Sequence, residues 1–367
     1  MRRRTDASIA RRAAAALLAV AAVAGVACGR NAVEPTSTQA VAGAAEGAHT
    51  EHGHEHERTV RFALPAEPLW QWMNDSGAVA DWEDRHNLRL ETVHPYEPFT
   101  ALISGHADVV VVDALDVPAL SLGLSYNPVV IGMYSHDRSI AATKRTSQAA
   151  DMAGVVEGRV VLESEMGSML MWSLIVDEAH ALDLSGDSRD FDLVVASFGL
   201  AALVENGNAD VCICLPEMSV PEMSSGMLRP LYDGRSAAQV YADLHGPRHV
   251  PPGKVFLTTQ DWFDAHLHEV LDFLDIWERA VQHWHSHSAE LIAQYPHLLS
   301  VRTDAEIAWL TDYVRRNDWI APSVYLSEAD EAAYLEAVAG LQARGLLPAD
   351  AAMPVMVTAQ DLKLEDH

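Results

Sequence analysis

The sequence predicts an α/β protein of two lobes, each a mainly parallel sheet with helices on both faces. Three observations predict it. From residue 59 onward, strand-like runs alternate with helix-like ones. One of them, ADVVVVDAL (107–115), is apolar without alternation, the mark of a parallel strand covered on both faces. One layout also occurs twice: strand, helix, then Gly-x-Ala-Asp and an apolar strand, as SGHADVVVVD (104–113) and NGNADVCICL (206–215). A repeat of that unit implies two α/β bodies rather than one large sheet.

Taken in order, TVRFAL (59–64) is a strand stopped by Pro65, and residues 69–86 carry helical spacing through Trp70, Met73 and Gly77. LRLETV (88–93) is a second strand, 99–105 a short helix, and 107–115 and NPVVIGMYS (127–135) are two more strands. A short polar link leads to the strand 158–163 and the helix 167–182, whose start places Ser168 to cap it. The strand 191–197, a helix from Leu200 to Asn206 and the strand 209–215 repeat the strand–helix–strand logic. KVFLTTQ (254–260) precedes one long helix from Asp261 to His287, and further helices fill 289–347.

The start of the chain has a different character. Arg2, Arg3, Arg4, Arg11 and Arg12 precede an apolar run from Ala13 to Ala27, too short to span a bilayer and ending in small residues before Cys28. Residues 1–27 therefore read as a secretory signal. Gly25-Val26-Ala27-Cys28 resembles a lipobox, which makes Cys28 the lipidated N-terminus of the mature chain, with ordinary secretory cleavage nearby as the alternative. Residues 28–57 are small, polar and aperiodic, and read as a flexible tether. No later run approaches the ~20 apolar residues of a membrane-crossing helix.

The whole chain carries 25 Lys and Arg against 52 Asp and Glu, a formal charge of −27. Losing the signal removes five arginines and one aspartate, so the mature protein is more acidic still. That field repels nucleic acid and anionic lipid and favours cationic or neutral ligands. Besides Cys28 only Cys212 and Cys214 are present, so this is no disulfide-built scaffold. The two alternate on one strand and face the same way, either as small buried hydrophobes or, with nearby methionines, as soft ligands of the Cu(I) type. His49, His52, His54 and His56, interleaved with glutamates, are candidate ligands for Zn, Cu or Ni, or else a solvated part of the tether; no other cofactor is expected.

At these residues a resemblance emerges. The two elements of the form Ala-Leu…Gly-x-Ala-Asp, Ala101 to Asp108 and Ala202 to Asp210, the Gly-Ser helix start at 167–168, and FLTTQDWFDAHLHEVLDFLDIWERAVQHW (256–284) together resemble the periplasmic substrate-binding proteins of ABC importers. The branch is that of sulfonate, nitrate and thiamine-precursor binders, and the resemblance covers about residues 59–345. It implies the type II periplasmic binding fold: two lobes joined by two crossing strands, here near 132–135 and 254–257. Lobe 1 would comprise 58–135 and 256–367, and lobe 2 residues 136–255. It also implies a ligand in the cleft between the lobes, hinge closure around it, and delivery to a permease and its ATPase by a monomeric binder.

Ligands of open α/β sheets sit beyond the carboxyl ends of the strands. That rule places the ligand against Glu67, Trp70, Tyr96, Glu97, Asp113, Glu163, Gly167, Ser168, Phe198, Cys214 and Glu217. These segments are rich in acid and contain no lysine or arginine. A buried sulfonate or nitrate would lack a cationic partner. A cationic or neutral heteroaromatic molecule stacked on Trp70, Tyr96 or Phe198 fits better. The expected function is a lipid-anchored, extracytoplasmic solute-binding protein without catalytic activity, with a metal- or metal-chelate-binding protein of the same fold as the alternative. No nucleophile–base arrangement or phosphate loop points to an enzyme.

Overall fold

The computed structural model describes residues 58–64, 67–95, 97–122 and 127–363. Its strands form two sheets. The first contains β1 (Arg58–Ala63), β2 (Leu88–Val93), β3 (Val109–Asp113), β4 (Pro128–Ser135), β10 (Lys254–Thr259) and β11 (Val355–Met356), in the order β11-β4-β10-β3-β1-β2. The second contains β5 (Ile140–Lys144), β6 (Arg159–Leu162), β7 (Asp192–Val195), β8 (Val211–Cys214) and β9 (Leu228–Pro230), in the order β7-β6-β8-β5-β9.

Both sheets are mainly parallel, each with one strand running against the rest. β1 runs parallel to β2 and β3, and β6 parallel to β7 and β8, but β10 is antiparallel to β3 and β4, and β5 to β8 and β9. The reason is connectivity. β5 and β10 are the strands that each sheet receives directly from the other, across 136–139 and 231–253, so they enter from the end at which their neighbours finish. β5, IAATK, fell within what reads in the sequence as a polar link, because two alanines and five residues give little periodic signal.

Local signals explain the helix boundaries. The predicted helix 69–86 breaks into Pro68–Asp75 and Ala78–His86 at Gly77, whose φ of 77° only glycine adopts cheaply. The long C-terminal element divides into Gln260–Ala265 and Leu267–Gln294, the latter with non-helical backbone at His287. Thr303 and Ser327 start the helices Asp304–Asn317 and Glu328–Ala343 with complete capping boxes.

One buried cluster joins the two sheets. Val110, Val130, Val255 and Leu257 of the first belong with Val160, Val211 and Ile213 of the second, and Tyr334, Ala337, Val338 and Leu341 of Glu328–Ala343 close it. A second cluster, centred on Phe62, Phe256, Phe273 and Trp277, packs the helix Leu267–Gln294 on the other face of the first sheet.

Candidate functional site

Two groups of charged side chains gather where the chain crosses between the sheets. The first surrounds a small cavity lined by Asp113, Leu115, Asp137, Gly167, Met171 and Gly253, with Pro252. Asp113 ends β3, and its two carboxylate oxygens each lie 3.1 Å from Nζ of Lys254, its cross-strand partner on β10. Asp116, one turn on, accepts the backbone N–H of Gly167. Asp137 lies in the first crossing, where its Oδ1 accepts Ser139 N–H at 2.9 Å, Ser139 Oγ at 2.6 Å and Ser168 Oγ at 3.3 Å.

Gly167 is there for a backbone reason as well as a spatial one. It caps the helix Ser168–His180 at φ 63°, and a Cβ on it would stand 3.5 Å from Asp113 Oδ2 and 3.8 Å from Asp116 Oδ2. Removal from water, with Asp113 beside it, pushes the Asp116 carboxyl up to about 8, and removal from water likewise raises Asp137. Folded Asp116 therefore keeps a proton that the unfolded chain has already released near pH 4, so its contribution to stability falls as pH rises from about 4 to about 8 and is flat above. Asp116→Asn keeps an acceptor for the Gly167 N–H. The variant is expected to gain stability over the native protein between pH 5 and pH 8 by urea denaturation; parallel pH profiles would contradict this.

The second group is an ion pair with its surroundings. Arg138 Nε donates to Glu217 Oε1 at 3.0 Å, Nη2 reaches the same oxygen, and the guanidinium lies 4.8 Å over the Trp319 ring. The Arg138 carbonyl accepts the Tyr313 hydroxyl at 2.7 Å. Burial alone would lower the guanidinium's pKa; the Glu217 carboxylate more than reverses this and holds it charged. Beside the pair, Glu67 caps Pro68–Asp75 by accepting the Trp70 N–H at 2.9 Å, and burial raises its carboxyl against the opposing hydrogen bond from Tyr134.

Of the residues singled out from sequence, the structure brings Asp113, Gly167 and Ser168 to the cavity or its immediate partners, and Glu67 and Glu217 to the ion-pair group. The rest go elsewhere. Glu97 caps Pro98–Ile103 through Phe99 N–H and Thr100 N–H. Trp70 packs edge-on against Phe62 and stacks on Trp277, centroids 4.7 and 5.7 Å away. Glu163 is exposed, and Phe198 is 85% exposed in the loop after β7. Cys214 is buried and bonded to Cys212 as a disulfide, which corrects the soft-metal alternative, because a disulfide offers no thiolate. Tyr96, Cys28, His49, His52, His54 and His56 lie outside the described residues.

Sequence reasoning missed Asp137, Arg138 and Lys254, and with them the cations that pair with Glu217 and Asp113. The expectation that no lysine or arginine stands at the cleft is therefore wrong. Asp137 and Arg138 come from a crossing segment and Lys254 from the start of β10, which a rule about the carboxyl ends of strands does not reach.

Neither a family model nor a curated protein sequence matches the chain. Solved structures do. The periplasmic aliphatic sulphonate binding protein SsuA of Escherichia coli superposes with a TM-score of 0.63 at 15% identity, over 81% of this chain and 96% of its own. The alkanesulfonate-binding protein SsuA of Xanthomonas axonopodis pv. citri, bound to MOPS, gives 0.60 at 16% identity, over 79% and 94%. The ligand-binding component of an ABC-type import system from Staphylococcus aureus, with zinc bound, gives 0.56 at 10% identity, over 84% and 99%. With its two mixed sheets joined by two crossings, this chain has the fold of the periplasmic binding proteins.

Proposed function

We propose that this protein is an extracytoplasmic solute-binding protein, anchored through Cys28 and tethered by residues 29–57, that passes a small molecule to an ABC importer. The cavity carries the proposal. It lies where both crossings meet β3 and the start of the helix Ser168–His180, and its polar walls come from segments that belong to different sheets. A solute held there touches both halves and favours their closure. The fold and its neighbours support the reading, and the excess of carboxyl groups around the cavity favours a cationic or neutral solute. We read the protein as a monomeric binder without turnover.

A metal-binding role on the same fold would rest on His49, His52, His54 and His56. Among the described residues, no group of three or more His, Cys, Asp or Glu is placed to hold a metal ion.

The test is a thermal-shift screen of the mature protein against small amines, heteroaromatic cations, sulfonates and metal salts. A true ligand at about 100 times its Kd adds about 2.7 kcal/mol of stability, a rise of several degrees. A screen in which no solute moves the melting temperature sinks the proposal. A shift with metal salts alone that disappears when residues 49–57 are deleted favours the metal-binding role instead.

A further inference from the structure

We propose that residues 327–354 form a lid, hung from the first sheet and latched onto the second lobe through Arg344. The lid leaves and returns at one place. Leu326 and Thr358 are bridged in parallel, and Ala359 N–H donates to Leu326 O at 2.8 Å. Both flanks are held to β4: Met133 N–H donates to Val324 O at 2.8 Å, Val357 N–H to Val130 O at 2.9 Å, and β11 pairs with β4. Between these anchors the segment is tied mainly to itself. Ser327 and Asp330 close a capping box, Leu346 N–H donates to Leu341 O at 3.0 Å, and Gln342 Nε2 donates to Pro348 O at 3.1 Å. A segment with paired ends and its own internal bonds can open as one unit.

The body of the lid reaches the other lobe. Tyr334, Ala337, Val338 and Leu341 share a buried cluster with Leu174 of the helix Ser168–His180, which links β6 to β7 of the second sheet. The approach is close at Gly340, where a Cβ would stand 3.2 Å from Leu174 Cδ2. At the end of the lid helix, Arg344 Nε donates to Asp177 Oδ2 at 2.5 Å and Nη2 to Glu178 Oε1 at 3.1 Å, both on that same helix. Among the described residues, the other hydrogen bond that leaves the lid is between Glu336 and His249, at 3.4 Å.

This attachment is built to release. Ala333, Ala337 and Gly340 offer little apolar area to lose, and the buried Tyr334 hydroxyl has no hydrogen-bond partner, so that side chain weakens the contact it makes. The Arg344 bridges lie at the rim, with Arg344 and Glu178 each 26% exposed, where water can replace them. On the solute-binding reading above, release of the latch frees the second lobe to move; lid opening itself does not depend on that reading.

Hydrogen exchange of the mature protein without solute tests the lid. The amides of 328–343 are expected to open together, about tenfold or more faster than those of the helix Leu267–Gln294. Arg344→Ala should speed exchange across all of 328–343 by about fivefold, the scale of a partly exposed charge network, and leave Leu267–Gln294 unchanged. Asp177→Asn, on the second lobe, should act on the same amides in the same direction, and it reads the latch even if Arg344→Ala fails to fold. Protection of 328–343 equal to that of Leu267–Gln294 overturns the lid. Acceleration confined to the last turn before Arg344, acceleration of the whole protein, or no response to either variant overturns the latch. None of these outcomes bears on solute binding, which the thermal-shift screen reads separately.

Discussion

Glu217→Ala is expected to destabilise the protein by about 3–5 kcal/mol, measured by urea denaturation at neutral pH. The side chains of Arg138 and Glu217 are only 13% and 12% exposed. Removing the carboxylate strands a guanidinium that burial already disfavours, and among the described residues no other acid is bonded to it. The contact with Trp319 is already made in the native protein, so it does not replace the lost carboxylate. The pair itself is not the source of the cost. Glu217 Oε2 is buried without a partner, so the ion pair pays a desolvation penalty that it does not fully recover. The double variant Arg138→Met with Glu217→Leu should therefore be far closer to native stability than either single change. A loss below about 1 kcal/mol for Glu217→Ala would show that Arg138 finds another partner or water.

Gly253→Ala is expected to be at least as damaging, at or beyond the top of the ~1–3 kcal/mol range for overpacking, with a fall in the yield of folded protein. A Cβ on residue 253 would lie 2.3 Å from both the backbone nitrogen of Asp137 and the carbonyl carbon of His136. Those are main-chain atoms of the other crossing and have no rotamer to give. The glycine cannot retreat either. Its N–H donates to Ser135 O at 2.9 Å and its carbonyl accepts Ala114 N–H at 2.8 Å. The two crossings touch here, so the substitution must push apart the segments that carry Asp137 and Lys254. A melting temperature within a degree or two of native would contradict this close approach.

Much of the architecture was legible because burial on both faces writes itself as an uninterrupted apolar run. Val109 to Val112 is such a run, and all four residues are below one-tenth exposed. The repeated Gly-x-Ala-Asp unit also has a physical meaning. Asp108 accepts from Arg61 N–H, and Asp210 from Arg159 N–H, so each aspartate ties its loop to the parallel neighbour of the strand that follows it, β1 beside β3 and β6 beside β8. Strand direction was not legible at β5 and β10, because periodicity carries no information about which end of a sheet a chain enters.

The site was legible only in part. Asp113 and Gly167 stand at a strand end and a helix start, where general rules look for ligands. Glu67 and Glu97 were attributed to the cleft, although each precedes a proline in the first turn of a helix and caps that helix through its side chain. An acid followed by proline at N1 is a capping signal that the sequence does contain. Phe198 shows the converse error, since an aromatic residue after a strand is not thereby in a cleft.

The central claim is that a solute occupies the space between the two sheets. A crystal structure of the mature protein grown with the strongest ligand from the screen tests it most directly. The account predicts density for one small molecule bounded by Asp113, Asp137, Gly167 and Gly253. A cavity closed by its own side chains, with the ligand bound elsewhere or absent at saturating concentration, would contradict it.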